Sequence, residues 1–417
     1  MYKKVNKFFK KIGPGIITGA SDDDPSGIVT YSIAGASQGY GLLWTAFLTL
    51  PLMAAIQEMC ARIGVVTQRG LAGNIKAQYK SRIFLYLLGL LMIVANTINI
   101  GADLSGMAAS ARLILPINEE IIAIFMTTLI IILIVKYPYR IIAANLKWLT
   151  FALFAYIAAA LVTKQDWLSI IFATFVPKIS INKESIGLLV AILGTTISPY
   201  LFFWQTSEEV EEIKAEEKEK HKKIIVTKHE LKMMREDVNF GMLFSNVVMF
   251  AIIATTASTL FSHGLTEITS AQQASKALEP IAGKAASLLF ALGIVGTGLL
   301  AIPILAGSAA YAVSEIFGWK EGLSRSFRTA KAFYGVIIVS TIIGFLMTLL
   351  KINPFKALFY TAVIYGLISP ILILLIILIA NNKKIMGKFT NTLSTNILGI
   401  LTLLLMTAAA AAFFLTA

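Results

Sequence analysis

Eleven apolar stretches follow one another along this chain, at 12–38, 42–67, 82–112, 118–136, 140–163, 185–211, 238–262, 283–317, 328–350, 355–381 and 390–416. A helix needs about 20 apolar residues to cross ~30 Å of hydrocarbon, and each stretch approaches or exceeds that length. The series predicts an all-α polytopic membrane protein, with 1–417 as a single transmembrane domain. Length alone would point instead to about two or three soluble domains. Composition supports the membrane reading: 57% of residues are hydrophobic, against about 45–50% in soluble domains. The one cysteine, Cys60, lies in an apolar run, so there is no disulfide framework and the thiol reads as a small hydrophobe.

The net charge of +13 does not call for nucleic acid, because basic loops fix the orientation of membrane proteins. With the N-terminus inside, only Arg112, Lys164, Lys178, Lys183, Lys276, Lys284, Lys351 and Lys356 of the 36 basic residues fall on outer segments. This bias predicts a cell-membrane protein with a cytoplasmic N-terminus and an extracellular C-terminus. The basic start "MYKKVNKFFKK" is followed by no cleavage-type segment. "WLSIIFATFVP", between the fifth and sixth spans, is too short to cross and is expected at the outer surface. The inner run "EEVEEIKAEEKEKHKKIIVTKHELKMMRED" reads as a solvated helix extension.

The first span carries an anomaly. In "GIITGASDDDPSGIVTYSIAG", Asp22, Asp23 and Asp24 precede Pro25, Ser26 and Gly27. Ionised groups within a membrane are costly and face a protein interior or a water-filled cavity. Proline lacks an N–H and disfavours helix in the residue before it, while glycine tolerates unusual backbone angles. The helix is therefore expected to unwind near Asp24, freeing carbonyls that cannot face lipid. Carboxylates beside free carbonyls make an oxygen-rich setting that suits a hard cation. The plain alternative, a loop between two short helices, is weakened because the flanks from Gly13 to Ala20 and from Ile28 to Ala36 join into one span.

The sixth span is interrupted as well, at Thr195-Thr196-Ile197-Ser198-Pro199-Tyr200. Matching broken helices in two halves point to a secondary transporter built from inverted repeats. Spans one to five (about 12–163) and six to ten (about 185–381) would enter the membrane from opposite sides, with the last helix (about 390–416) outside the repeats.

"GPGIITGASDDDPSG", "LGTTISPYLFF" and "ANNKKIMG" resemble the Nramp family of divalent-metal transporters from about residue 12 to the C-terminus. The resemblance implies the LeuT-type inverted repeat of 5+5 helices plus an eleventh helix. By position it implies a metal-binding carboxylate at Asp24 and a backbone carbonyl ligand at Thr195. The departures carry information too. The family's first-helix asparagine falls on Gly27, its sixth-helix methionine on Ser198 and the following histidine on Tyr200. Its third-helix acidic pair falls on Asp103 and Gly106. These changes resemble the Nramp-related magnesium transporters, a branch without the methionine and without proton coupling. A thioether helps transition metals compete against Mg²⁺, and a hydroxyl does not. Gly27 and Ser198 are expected to widen the site for a partly hydrated ion. Asp22 and Asp23 would concentrate cations or hold water around the ion.

Other polar residues fit in around this. Asn96, Asn99 and Asp103 share one helical face, where they line the cavity or bond neighbouring helices. Gln57 matches a family glutamine near the pathway, and its neighbour Glu58 is expected to pair with a basic group. Glu208, Glu209, Glu211 and Glu212 form either an acidic vestibule or partners for nearby Lys and Arg, the second being favoured. None of the three histidines falls mid-span, which argues against a histidine proton relay. The function expected is uptake of Mg²⁺ and Mn²⁺ by alternating access, with weak or absent proton coupling. The alternative is a proton-coupled Mn²⁺/Fe²⁺ symporter. A sodium-coupled amino-acid carrier is disfavoured, since the acids would repel a carboxylate substrate. No intramembrane enzyme constellation is evident. Neither a resident cofactor nor an obligate protein partner is expected; the partners are divalent ions and the bilayer.

Overall fold

The computed structural model describes residues 13–137, 141, 152–178, 181–221 and 224–416. Among them every regular element is helical. The first expected span is two helices, α1 (Pro14–Asp22) and α2 (Pro25–Gln38). After it come α3 (Leu43–Thr67), the short α4 (Leu71–Gln78), α5 (Arg82–Ala111) and α6 (Glu119–Lys136). Of the fifth expected span, residues 140 and 142–151 lie outside the described residues, and the rest ends in α7 (Phe154–Val162). The short stretch expected at the outer surface forms α8 (Trp167–Phe175), started by Asp166, whose exposed carboxyl lies below the usual range because Ser169 hydrogen-bonds to it.

The sixth span is again two helices, α9 (Lys183–Thr196) and α10 (Pro199–Lys220). The charged run continues α10 past the apolar part and then opens α11 (Lys228–Thr259). A capping box between Thr227 and Glu230 starts α11. The remaining long helices are α12 (Ala286–Phe317), α13 (Lys331–Thr348), α14 (Pro354–Ala380) and α15 (Leu393–Thr416).

Eight segments among the described residues are long and apolar enough to cross a membrane. One of these, Pro25–Thr67, joins α2 and α3, which are expected as separate spans. The helix α6 forms as expected but is charged at both ends, with Glu119, Glu120 and Lys136.

The broken sixth span is the core of the bundle: 94% of the most apolar window of Lys183–Lys218 is buried, against 22% for Leu393–Thr416. Around it, α11 packs on α1, α2 and α3, while α5 packs on α12, α13 and α14. Small residues permit the closest crossing. A Cβ on Gly19 of α1 would lie 2.2 Å from the Gly241 carbonyl oxygen of α11, so the two backbones touch. The carboxylate of Asp237 on α11 sits over the start of α1 and accepts from Gly13 N (3.1 Å) and Gly15 N (2.7 Å). It thereby satisfies N–H groups that the first turn leaves unpaired.

Candidate functional site

The two interruptions have almost the same local form. At the first, Asp23 has φ −82°, ψ 58° and Asp24 has φ −67°, ψ 172°. At the second, Ile197 has φ −113°, ψ 63° and Ser198 has φ −78°, ψ 125°. Each time one residue leaves the helix, the next is extended, and a proline (Pro25 or Pro199) begins the following helix. Proline is suited to that first position, where its missing N–H is not needed. The breaks lie side by side: Ser26 Oγ is 3.3 Å from Thr195 Oγ1, and the Tyr31 hydroxyl is 3.0 Å from Thr196 Oγ1.

Asp24 caps α2. Its Oδ1 accepts from Gly27 N (2.8 Å) and Ser26 Oγ (2.6 Å), and its Oδ2 accepts from Asn99 Nδ2 of α5 (3.1 Å). Asp22 and Asp23 turn elsewhere. The Ser245 hydroxyl of α11 lies 2.7 Å from Asp22 Oδ2 and 3.4 Å from Asp23 Oδ1. The three carboxylates therefore do not converge. Among the described residues no group of three or more His, Cys, Asp or Glu side chains is arranged to hold a metal ion. All three aspartates are nonetheless at most 1% exposed. Several buried oxygens here have no hydrogen-bond partner: Asp22 Oδ1, Asp23 Oδ2, Asn99 Oδ1 and both carboxylate oxygens of Asp103. Buried acceptors without donors are costly; a cation is one partner that would satisfy them.

At the second break the Ser198 hydroxyl lies 2.7 Å from the Thr195 carbonyl and 3.1 Å from that of Gly194. Its proton is thus directed back into α9, leaving the oxygen lone pairs open. The Ile197 carbonyl accepts from Ser369 Oγ of α14 (2.9 Å). The Tyr200 hydroxyl reaches back to the first break and donates to the Ser21 carbonyl (3.3 Å). One thioether approaches the second break: Met249 Sδ is 3.7 Å from Thr196 Oγ1, which donates to it.

One expectation about space needs correction. A Cβ on Gly27 would lie 3.2 Å from Thr195 Oγ1, so the room beside this glycine is already taken in this conformation. The contact between Ser26 and Thr195 draws the two breaks together there and does not widen the site. At Gly106, a Cβ would lie 2.8 Å from Leu358 Cδ1 of α14, so an apolar side chain fills the place of the absent acid.

The polar stripe on α5 divides its work. Asn96 bonds Leu305 O, Ser308 Oγ and the Tyr365 hydroxyl and serves packing, whereas Asn99 serves the break. Gln57 is buried and its Oε1 has no partner. Glu58 pairs with Arg62 (3.0 Å) and Arg235 (3.3 Å), as expected. Glu209 and Glu211 bond mainly neutral donors, Gln205 for the first and Tyr311 and Ser324 N for the second, contrary to the favoured pairing with Lys and Arg. Sequence reasoning missed Ser26 and Ser245 as partners of the aspartates. The only available signal for Ser245 is a polar pair, Ser245-Asn246, within an apolar span.

An all-helical bundle with two matched, adjacent helix breaks defines a polytopic membrane protein of the LeuT-type fold. Its structure superposes on a nucleobase-cation-symport-1 family transporter with TM-score 0.53 at 13% identity, covering 97% of this chain and 93% of that one. The similarity is greater to the manganese transporter of Eremococcus coleocola, with TM-score 0.81 at 16% identity over 100% of this chain and 88% of that one. The chain belongs to the Nramp family, whose profile, described as natural resistance-associated macrophage protein-like, matches residues 15–416. Among curated relatives, the divalent metal cation transporter MntH of Caldanaerobacter subterraneus is 24% identical over 405 residues, 95% of this chain and 91% of that protein. The protein of the same name from Yersinia enterocolitica is 25% identical over 408 residues, 94% and 91% of the two chains.

Proposed function

We propose that this protein carries divalent metal cations across the cell membrane by alternating access, with Mg²⁺ and Mn²⁺ as substrates at a site of oxygen donors. The observation that carries the reading is Asp24: a carboxylate buried at a helix break, bonded on Oδ1 by its own helix and on Oδ2 by Asn99. Family membership and relatives named as divalent metal cation transporters support the substrate class. In the proposed cycle Asp24 is the principal anionic ligand. The Asn99 side-chain oxygen, the Thr195 carbonyl, the Ser198 hydroxyl and retained water complete the shell. Asp22 and Asp23, held by Ser245, add negative potential beside it. The Met249 sulfur is engaged by Thr196 and stays outside the shell.

The cation enters from outside, α1 and α10 tilt against the remaining helices, and release follows inside. Tilting of α1 must break the Asp237 cap at its start. An inside-negative potential supplies ~2.3 kcal/mol per charge per 100 mV, so ~4.6 kcal/mol for a dication, which suffices for uptake without protons. The filled space at Gly106 supports weak or absent coupling. Asp103, buried with both oxygens unpaired, favours the second reading, a proton-coupled Mn²⁺/Fe²⁺ symporter.

One experiment addresses both readings. Purified protein in liposomes, wild type and Asp24→Ala, is given a panel of divalent ions with a pH dye inside. Uptake of Mg²⁺ and Mn²⁺ by wild type alone, without internal acidification, is expected. Acidification that tracks metal influx would overturn uniport in favour of the symporter.

A further inference from the structure

A second polar site lies away from the breaks, where α3 ends, α11 begins and the segment between α14 and α15 passes. A cavity of 290 Å³ opens there, lined by Arg62, Lys228, Lys232, Arg235 and Lys388 together with Leu231, Phe389, Thr390 and Thr392. Five cationic side chains thus wall one space. The carboxylate beside it is Glu58, whose Oε1 accepts from Arg62 Nε (3.0 Å) and Arg235 Nη2 (3.3 Å). Lys232 lies 3.8 Å from Glu236, but both side chains are largely exposed, so that pair neutralises little. Among the described residues no carboxylate pairs with Lys228 or Lys388; the Lys388 ammonium sits 5.2 Å from the Phe389 ring centre.

The floor of the cavity is a buried, hydrogen-bonded arginine. Arg62 is only 5% exposed, and its guanidinium also donates to Phe389 O (2.6 Å) and to Asn391 Oδ1. Ordinary orientation-setting lysines spread into water, where their repulsion is screened. Here a buried arginine holds the loop against α3, and four further cations, themselves exposed, line one concave space beside which Glu58 and Glu236 pair only with Arg62, Arg235 and Lys232 among the described residues. Their mutual repulsion is screened by water while the space is empty, and an anion inside it meets several cations at once. Basic pockets among the ends of membrane helices are suited to the phosphates of lipid headgroups. The apolar Leu231 and Phe389 would meet the non-polar part of such a group.

We infer that this cavity binds a phosphate-bearing anion, taken either from an anionic lipid headgroup or from free phosphate, and so ties α11 to the segment preceding α15. Lys228 and Lys388 supply the charge that no protein group matches, and Arg62 with Glu58 holds the frame. The site is separate from the cation-binding breaks and does not depend on which ion they carry.

Thermal unfolding of the full chain in neutral detergent, followed by tryptophan fluorescence, tests this. Phosphatidylglycerol, phosphatidylcholine, inorganic phosphate and chloride at matched ionic strength are titrated separately. Phosphatidylglycerol is expected to raise Tm where phosphatidylcholine does not. A rise with inorganic phosphate beyond the chloride control, with none from phosphatidylglycerol, supports the site and assigns free phosphate as the source. The double variant Lys228→Gln/Lys388→Gln should weaken half-saturation about thirtyfold, as for loss of two basic contacts to an anionic surface, with ligand-free Tm unchanged. Lys228→Arg/Lys388→Arg should retain binding and serves if the glutamine variant folds poorly. The inference is overturned if neither anion raises Tm beyond its control, or if the glutamine variant responds as wild type does.

Discussion

Asn99 Nδ2 lies 3.1 Å from Asp24 Oδ2, so the carboxylate that caps α2 is also tied to the middle of α5. One amide thereby orients the central anion of the break and presents its own oxygen, which has no other partner, beside it. A cation at Asp24 would find two kinds of oxygen already placed. The amide's position is set by α5, which is packed against α12, α13 and α14 and is therefore held independently of the broken helix.

Removing this tie should weaken the ion more than the fold. A hydrogen bond to a charged group contributes ~1.5–3 kcal/mol. Asn99→Ala is therefore expected to raise the half-saturating Mn²⁺ concentration by about 10- to 140-fold. Asp24→Ala should abolish saturable uptake. Both are read from initial rates in liposomes; Asp24→Ala retaining wild-type flux would falsify the site.

Selectivity should follow Ser198 and not Met249. Ser198→Met places a thioether at the second break, and excess Mg²⁺ should then inhibit Mn²⁺ uptake less than it does in wild type. Met249→Leu should leave the competition curve unchanged, because that sulfur is occupied by Thr196. A shift of the curve in the leucine variant would put sulfur inside the coordination shell.

Contact between α1 and α11 should be intolerant of bulk. A Cβ on Gly19 would lie 2.2 Å from Gly241 O, and backbone cannot swing aside as a side-chain tip can. Gly19→Ala is expected to cost at least about 1–3 kcal/mol as overpacking and to lower the unfolding temperature. Asp237→Ala, which removes the cap from Gly13 N and Gly15 N, should cost ~1 kcal/mol. A thermal shift assay measures both; wild-type stability for Gly19→Ala would mean that the helices sit further apart.

Acidic pH should stabilise the loop after α12. Burial pushes the Glu321 carboxyl up to about 8; Glu315 and Glu211 add to this, while Lys214 and Arg325 oppose it. The folded protein then holds this proton more tightly than the unfolded chain, whose carboxyl titrates near ~4.3. Stability from this group is fully present below that value and is lost as pH rises towards 8. Glu321→Gln should therefore flatten the fall in unfolding temperature between about pH 5 and 8. An identical slope in wild type and variant would exclude Glu321 as its source.

Much of the architecture was legible in the sequence because it depends on local chemistry. Runs of apolar residues mark helices whatever their neighbours, and Asp24-Pro25 and Ser198-Pro199 mark the breaks because proline cannot continue the ladder of hydrogen bonds. The near-identical backbone angles at the two breaks follow from that same local rule. The pairing of Glu58 with a basic group was also within reach, since Arg62 stands one turn along the same helix.

What the sequence determined by itself, then, was the helical membrane class, the two interruptions and the oxygen chemistry available there. Tertiary structure alone decided that Asp24 meets Asn99 on α5 while Asp22 and Asp23 meet Ser245 on α11. It also decided that Thr195 fills the space at Gly27 and Leu358 the space at Gly106. The reason is physical: where backbone leaves the helix, side-chain direction no longer follows the 3.6-residue period, and the partners that select it arrive from helices distant in the chain.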